Sequence, residues 1–254
     1  RINKINLSIK DFEDKINNYD LNEIIEVFIR ITSYYDNPQK KSTTLYGQKS
    51  INLIRSPKEI NFFYPDSKFI YIIRDVRNCS LSSFKAWKTN IFRFAQRWYD
   101  DITNLEKFLE DISHERKLMI KFEDLIDNSS NELKKICNFL NIKYSDNMNV
   151  LNKNVENLGD ARGSKVIISQ SNMKYLNFFN SNQIEKIESL TYVLLKKYGY
   201  EFRYDGDLKR VPNYKMFYFK ILDFKNKILF NIKERGIINF FYILKIRILS
   251  QIKK

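Results

Sequence analysis

The sequence predicts an α/β protein in which a parallel sheet is flanked by helices. Two short runs are predicted to be strands. Residues 68–73 are rich in aromatic and β-branched residues, a pattern typical of a parallel strand buried on both faces, and residues 116–122 are predicted to form another short strand. Each run leads into a segment with helical character, and apolar residues recur at helical spacing from Ala95 to Ile112. Strands that alternate with amphipathic helices favour a parallel sheet.

Further helices are expected in chain order on either side of these elements. The apolar spacing predicts two helices within residues 8–35, and Pro57 suits the first position of a short helix before the turn at Pro65. A last helix of the body is predicted over residues 182–198, ended by Gly199. Beyond Pro212 the composition predicts two helices divided at Gly236.

Composition limits the classes of protein that the chain can belong to. Its 254 residues, 43% of them hydrophobic, suit one α/β domain or one domain with an appendage. With two cysteines and one histidine we expect neither a disulfide framework nor a metal site. The net charge of +14 indicates an anionic partner, which could be a nucleotide, an acidic glycan, a nucleic acid or a membrane surface.

The segment 63–87 is predicted to form a strand, a sharp turn and a helix. The apolar run stops at Arg74, and either Asp75 or Asn78 can cap a helix that follows at once. Arg74 should therefore lie at the carboxyl edge of the sheet, where open α/β sheets bind their ligands.

The polar residues of this turn suit a phosphate. A helix N-terminus presents unpaired amides, Arg74 and Arg77 carry planar guanidinium groups, and Ser82 adds a hydroxyl in the first turns of the helix. The alternative for Arg74 is a surface ion pair at the strand end, and for Ser82 an ordinary position in a helix.

This segment resembles a known family. An apolar strand that ends in Arg-Asp-x-Arg, with a serine eight residues after the first arginine and Pro-Asp-x-Lys-Phe upstream, resembles the segment of sulfotransferases that binds the 3′-phosphate of 3′-phosphoadenosine 5′-phosphosulfate (PAPS). The resemblance implies that Arg74 and Ser82 hold this 3′-phosphate. Arg77 is a further candidate for binding the nucleotide.

A second stretch resembles the same family. Gly-Gln-Lys-Ser at 47–50 is similar to the Gly-Glu-Lys-Thr/Ser-Pro element of bacterial and Golgi-type sulfotransferases, although Gln48 and Ile51 depart from it. The resemblance implies that Lys49 is catalytic and stabilises the negative charge that develops during sulfuryl transfer. The alternative is a solvated lysine in a loop.

Two later stretches extend the resemblance, which runs from about Gly47 to Tyr200. Lys-Phe-Glu-Asp-Leu at 121–125 is similar to the family's Tyr-Glu-Asp-Leu segment, so Phe122 would contact the adenine or, alternatively, pack in the core. The glycine-containing basic loop at 159–165 is similar to a family loop that closes on the nucleotide. Its candidate contacts are Arg162, Gly163 and Lys165, and a solvated loop is the alternative.

The resemblance implies a P-loop NTPase-like sulfotransferase fold that lacks its first strand and its 5′-phosphosulfate loop. Such a loop needs glycine, and Gly47 is the first glycine of the chain, so we expect the N-terminal part to be absent. The body is assigned to residues 1–212 and a basic amphipathic helical tail to residues 213–254. The tail could pack on its own domain, which is the default, or bind an acidic partner, or lie on an anionic membrane.

The functional expectation is a PAPS-dependent sulfotransferase, an enzyme without a metal that acts on a hydroxyl or amine, with a carbohydrate favoured as the acceptor. The alternative is a non-catalytic basic protein that binds an anionic polymer or a membrane surface, and a kinase that uses Asp75 for magnesium ranks third. No specific nucleic acid partner is expected. The predicted location is cytoplasmic, with peripheral membrane contact through the tail or an anchor in the absent N-terminus as alternatives.

Overall fold

The computed structural model describes residues 45, 47–49, 51–150 and 173–236. The chain divides into two compact units, Arg1–Pro65 and Asp66–Lys254. The helix that begins the predicted tail belongs to the second unit, together with residues 66–212. The two helices predicted within residues 8–35 and the second tail helix lie outside the described residues, as do Arg162, Gly163 and Lys165.

Helices dominate the described parts of the chain. The strands are Phe69–Ile73 (β1) and Lys117–Lys121 (β2). The α-helices are Pro57–Phe63 (α1), Val76–Trp87 (α2), Ile91–Glu110 (α3), Phe122–Asp127 (α4), Ser129–Leu140 (α5), Ser181–Lys197 (α6) and Asn213–Arg235 (α7). None of these helices is both long enough and apolar enough to cross a membrane.

The two strands pair in parallel, which confirms the predicted fold class. Phe69 lies opposite Lys117 and Ile73 opposite Lys121, so both strands end at the same level. Helices α2 and α3 form the crossover that parallel pairing requires. One expectation was wrong, because the sheet is not buried on both faces: Ile73 is buried, whereas Ile72 remains 52% exposed.

The hydrophobic core lies where α2, α3 and α6 meet. Its buried members include Val76, Leu81, Ala95, Ile187 and Leu195. These residues come from three helices, of which α3 and α6 were predicted from the spacing of their apolar residues. The packing fixes the start of α2 against the middle of α6, and this contact forms one side of the site described below.

Side-chain caps set the ends of these helices. Asp75 caps α2 and Asn90 caps α3, each by accepting a hydrogen bond from a backbone amide of the first turn. Asn180 forms a full capping box with Gln183 at the start of α6. At the other end of α6 the chain turns through Gly199, whose φ of +66° suits glycine.

Candidate functional site

The turn between β1 and α2 brings together the ends of both strands. Arg74 is the first residue after β1, and Phe122 is the first residue after β2. Because Ile73 and Lys121 are partners in the parallel register, the two following residues are neighbours at the carboxyl edge of the sheet. The predicted position of Arg74 at this edge is confirmed.

The guanidinium group of Arg74 lies over an aromatic ring. Its central carbon is 4.3 Å from the centre of the Phe122 ring, which therefore supports one face of the group. Within the described parts of the chain, no carboxylate forms an ion pair with Arg74. Its side chain is only partly buried, so the N–H groups at the guanidinium edge can meet an external oxyanion.

Ser82 lies in the second turn of α2. It follows Cys79 by one helical turn, and the Cys79 thiol approaches the carbonyl oxygen of Arg74 to 3.9 Å. Ser82 is partly buried. The spacing thus places Ser82 on the same face of the helix as a residue in contact with the turn.

The pKa of the Cys79 thiol depends on its burial and on the charges around the turn. Burial raises the pKa of Cys79 to about 12, and the nearby carboxylates of Asp75 and Glu123 act in the same direction. The positive charge of Arg74 opposes them by favouring the thiolate. Cys79 is therefore a neutral thiol near neutral pH rather than a nucleophile.

Arg77 has a different environment from the one expected. Its guanidinium group is buried, donates from Nε and Nη2 to Asp75, and donates from Nη1 to Glu188 at 2.6 Å. Burial opposes the charge on Arg77, but the hydrogen bonds and negative charge of Asp75, together with Tyr175 and Glu188, outweigh it and raise its pKa. The expectation that Arg77 presents an open fork to an oxyanion is corrected, because two carboxylates already occupy that fork.

The amides at the start of α2 also differ from expectation. The Arg77 amide donates to the Asp75 carboxylate at 2.8 Å, and the Asp75 amide donates to Glu123 at 3.1 Å. Two negative side chains thus bond to backbone N–H groups that the sequence suggested would be available to a phosphate. These two amides are therefore not available to an anion, which would meet the side chain of Arg74 at this edge.

Glu123 is a structural residue of the site to which the sequence analysis gave no role. Besides the Asp75 amide, its carboxylate accepts a hydrogen bond from the Tyr200 hydroxyl at 2.8 Å. Burial, then the charge of Glu123 and this hydrogen bond, raise the pKa of Tyr200, so Tyr200 is a neutral donor. A carboxylate directly after a strand end at the ligand edge of a sheet was the signal that could have identified it.

Glu188 is a second carboxylate whose role was missed. It is 1% exposed, and it accepts from Arg77 as well as from the backbone amides of Arg203 and Tyr204. The position is one residue after Ile187, on the apolar face of α6. A lone charge within an apolar stripe predicts a buried partner, and that signal was present in the sequence.

The remaining predicted site residues have separate outcomes. Phe122 is partly buried and begins α4 instead of ending a strand, and its ring packs against Arg74. Lys49 lies in an exposed, irregular segment of the first compact unit.

Comparisons with known proteins give a family match. A model of the sulfotransferase family matches residues 3–146, more than half of the chain. Among solved structures, a "Sulfotransferase Domain from the Curacin Biosynthetic Pathway" is similar, with 18% identity and a TM-score of 0.47. That match covers 61% of this chain, which spans 62% of the length of the solved domain. No curated protein matches the chain.

Proposed function

Since this chain belongs to the sulfotransferase family, we propose that it takes part in sulfuryl transfer from PAPS and that Arg74 binds the 3′-phosphate of this donor. The whole protein would then be a transferase that modifies a hydroxyl or an amine. The observation that carries the proposal is the contrast between two nearby arginines. Arg74 is partly buried at the carboxyl edge of the sheet and forms no ion pair with a carboxylate of the described residues, whereas Arg77 is bonded to Asp75 and Glu188.

The residues of the turn fit a phosphate monoester. A dianionic phosphate needs a positive charge with directional donors, and the Arg74 fork can supply two parallel N–H donors. Ser82 would add a neutral donor from α2. The Phe122 ring holds the guanidinium plane in place, which reduces the conformational entropy that Arg74 loses on binding.

The neighbouring carboxylates have a positioning role in this proposal. Glu123 bonds to the Asp75 amide and to the Tyr200 hydroxyl, and Asp75 bonds to Arg77. Because their oxygens are engaged, these groups hold the turn in shape. We assign none of them the role of general base, and the residue that accepts the acceptor's proton is not among them.

Sulfuryl transfer would proceed by in-line displacement. The acceptor oxygen or nitrogen forms a bond to sulfur while the bond from sulfur to the phosphate oxygen breaks, and the adenosine 3′,5′-bisphosphate leaves. We propose that Lys49 stabilises the negative charge that builds on the transferring group. Arg162, Gly163 and Lys165 are proposed as further contacts to the 3′-phosphate, on the basis of the family resemblance.

A carbohydrate is the acceptor class that we propose. Support comes from the likeness of residues 47–50 to the element found in bacterial and Golgi-type sulfotransferases. The test is transfer of radiolabelled sulfate from PAPS to a panel that contains oligosaccharides, phenols and amines. Transfer to phenols alone would contradict the proposed class.

The decisive experiment compares two nucleotides that differ in the 3′-phosphate. Calorimetric titration of the purified chain with adenosine 3′,5′-bisphosphate should show binding, and AMP should bind more weakly. Arg74→Ala should weaken binding of the bisphosphate by about 10- to 100-fold, since a hydrogen bond to a charged group contributes roughly 1.5 to 3 kcal/mol. Its affinity for AMP should stay unchanged.

A matched arginine controls for the loss of charge. Arg210 is exposed and pairs with Asp100 at the surface, so Arg210→Ala removes one positive charge elsewhere in the fold. This variant should bind both nucleotides like the parent chain. The assignment of Arg74 would be wrong if Arg74→Ala weakened the binding of both nucleotides equally, or weakened the binding of neither.

A further inference from the structure

The helix α7 has two apolar sides, and only one of them faces the body of the protein. On the inner side, Asp223 accepts hydrogen bonds from the Asn90 amide at 2.7 Å and from Arg93 at 2.5 Å. On the same side, Phe219 packs against the hydrophobic core, and Asn226 donates to the Lys88 carbonyl at 2.9 Å. These contacts fix which face of α7 is turned outward.

The outward face carries a stripe of large apolar side chains. Each is between 51% and 70% exposed, and the set is Tyr214, Phe217, Tyr218, Ile221, Phe224 and Leu229. At about 100° of rotation per residue, they occupy less than half of the helix circumference, opposite Asp223. A contiguous exposed stripe of this kind marks an interaction surface.

Lysines border and interrupt this stripe. All of them are exposed, and they are Lys215, Lys220, Lys225, Lys227 and Lys233. By the same rotation, Lys215 and Lys233 lie along one side of the stripe and Lys220 and Lys227 along the other. Among the α7 side chains that the structure describes, Asp223 is the acidic one. It is paired with Arg93 on the inner side, so its negative charge does not offset the positive charge of these lysines.

We propose that α7 binds the surface of an anionic membrane with this outward face, which we call the α7 stripe. An interfacial helix lies in the plane of the membrane with its apolar side chains below the headgroups, and lysines beside it reach up to the phosphates. The two tyrosines suit this boundary because their rings are apolar and their hydroxyls are polar. Each lysine near the surface adds to the attraction for anionic lipid.

The charge pattern favours a membrane over the other partners that could cover the stripe. In a twofold dimer of this chain through the stripe, lysines of both copies would meet across the seam and repel each other. A nucleic acid or other polyanion would neutralise the lysines but leave the aromatic side chains in water. An anionic bilayer matches both the charge and the apolar side chains.

The proposal is independent of sulfuryl transfer and can be tested on the intact chain. The experiment is sedimentation with vesicles of phosphatidylcholine alone, or of equal parts phosphatidylcholine and phosphatidylglycerol. We expect binding to the anionic vesicles that weakens with salt. In the Tyr218→Trp variant, the added fluorescence should shift to shorter wavelength when these vesicles are present, because the indole leaves water.

Substitutions in the stripe test its part in binding. The pair Phe217→Ser and Phe224→Ser should weaken binding to anionic vesicles by at least about tenfold, since two aromatic side chains no longer enter the apolar layer. Its control is Phe62→Ser with Val150→Ser, two exposed apolar residues outside α7. The control pair should bind like the parent chain.

A second variant tests the charges without altering the apolar residues. The double variant Lys220→Glu with Lys225→Glu should weaken binding to anionic vesicles by about tenfold or more. Its control is Lys143→Glu with Lys196→Glu, since both of these lysines are exposed and lie outside α7. The proposal would be overturned by equal binding to neutral vesicles, by binding to RNA or heparin without binding to vesicles, or by a dimer that the Phe217 and Phe224 substitutions dissociate. Equal losses in the α7 variants and their controls would also overturn it.

Discussion

Arg74 and Arg77 lie three positions apart in one turn and have opposite environments. Arg74 stacks on the Phe122 ring at the edge of the sheet, with its side chain partly open to solvent. Arg77 is buried between Asp75 and Glu188, which satisfy its charge inside the protein. The difference teaches that a basic residue in a phosphate-like motif is available to a ligand only where the fold has not already supplied it with an anion.

The largest expected effect concerns the buried arginine. Arg77→Met should destabilise the protein by about 3 to 5 kcal/mol, because it leaves buried carboxylates without their counter-charge. Urea unfolding followed by circular dichroism measures this, and adding Glu188→Gln should recover part of the loss. If Arg77→Met were nearly as stable as the parent yet no longer bound adenosine 3′,5′-bisphosphate, Arg77 would be the binding residue, and the roles assigned to Arg74 and Arg77 would be reversed.

A smaller loss of stability is expected when Glu123 is substituted, because its carboxylate joins the two sides of the turn. Glu123→Ala should destabilise the protein by about 2 kcal/mol, because the Asp75 amide and the Tyr200 hydroxyl lose their acceptor. The adjacent Asp124 is exposed, so Asp124→Ala should change the free energy of unfolding by less than about 0.5 kcal/mol. Equal unfolding midpoints for the two variants would mean that Glu123 does not hold the turn.

The Cys79 thiol makes stability depend on alkaline pH. The pKa of Cys79 is about 12 in the folded protein, above the ordinary value of 9.0. The stability that the protein gains from the neutral thiol is therefore fully present below about pH 9 and is lost as the pH rises towards 12. Between pH 8 and pH 10 the parent should lose about 1 kcal/mol more than Cys79→Ala does. Urea unfolding at the two values measures this difference.

The smallest effect on stability is expected for Arg74, which is only partly buried. At pH 7, Arg74→Ala should cost less than about 1 kcal/mol, since it removes one partly exposed cation–π contact. Urea unfolding at this pH, with Arg77→Met measured alongside, checks the ranking. A loss for Arg74→Ala as large as that for Arg77→Met would assign both arginines to the fold.

Local sequence patterns predicted much of the fold. Aromatic and β-branched residues predicted β1, residues 116–122 were predicted as a second short strand, and the spacing of apolar residues predicted α3 and α6 to within a few residues. These predictions succeeded because strand and helix periodicity are expressed between near neighbours. The position of Arg74 followed from the same patterns, since a parallel strand that leads directly into a helix leaves its last residue at the ligand edge.

The sequence by itself therefore determined the strand, the turn, the helix and the residue types that meet there, whereas the tertiary structure decided which of those residues are available to a ligand. Arg77 is bonded to Glu188, which lies 111 positions away, and Glu123 is bonded to Tyr200, which lies 77 positions away. Such pairs form only when α6 and the chain after it pack against the start of α2. The physical reason is that the availability of a charged group depends on its burial and its nearest counter-charge, and both are set by packing between distant segments.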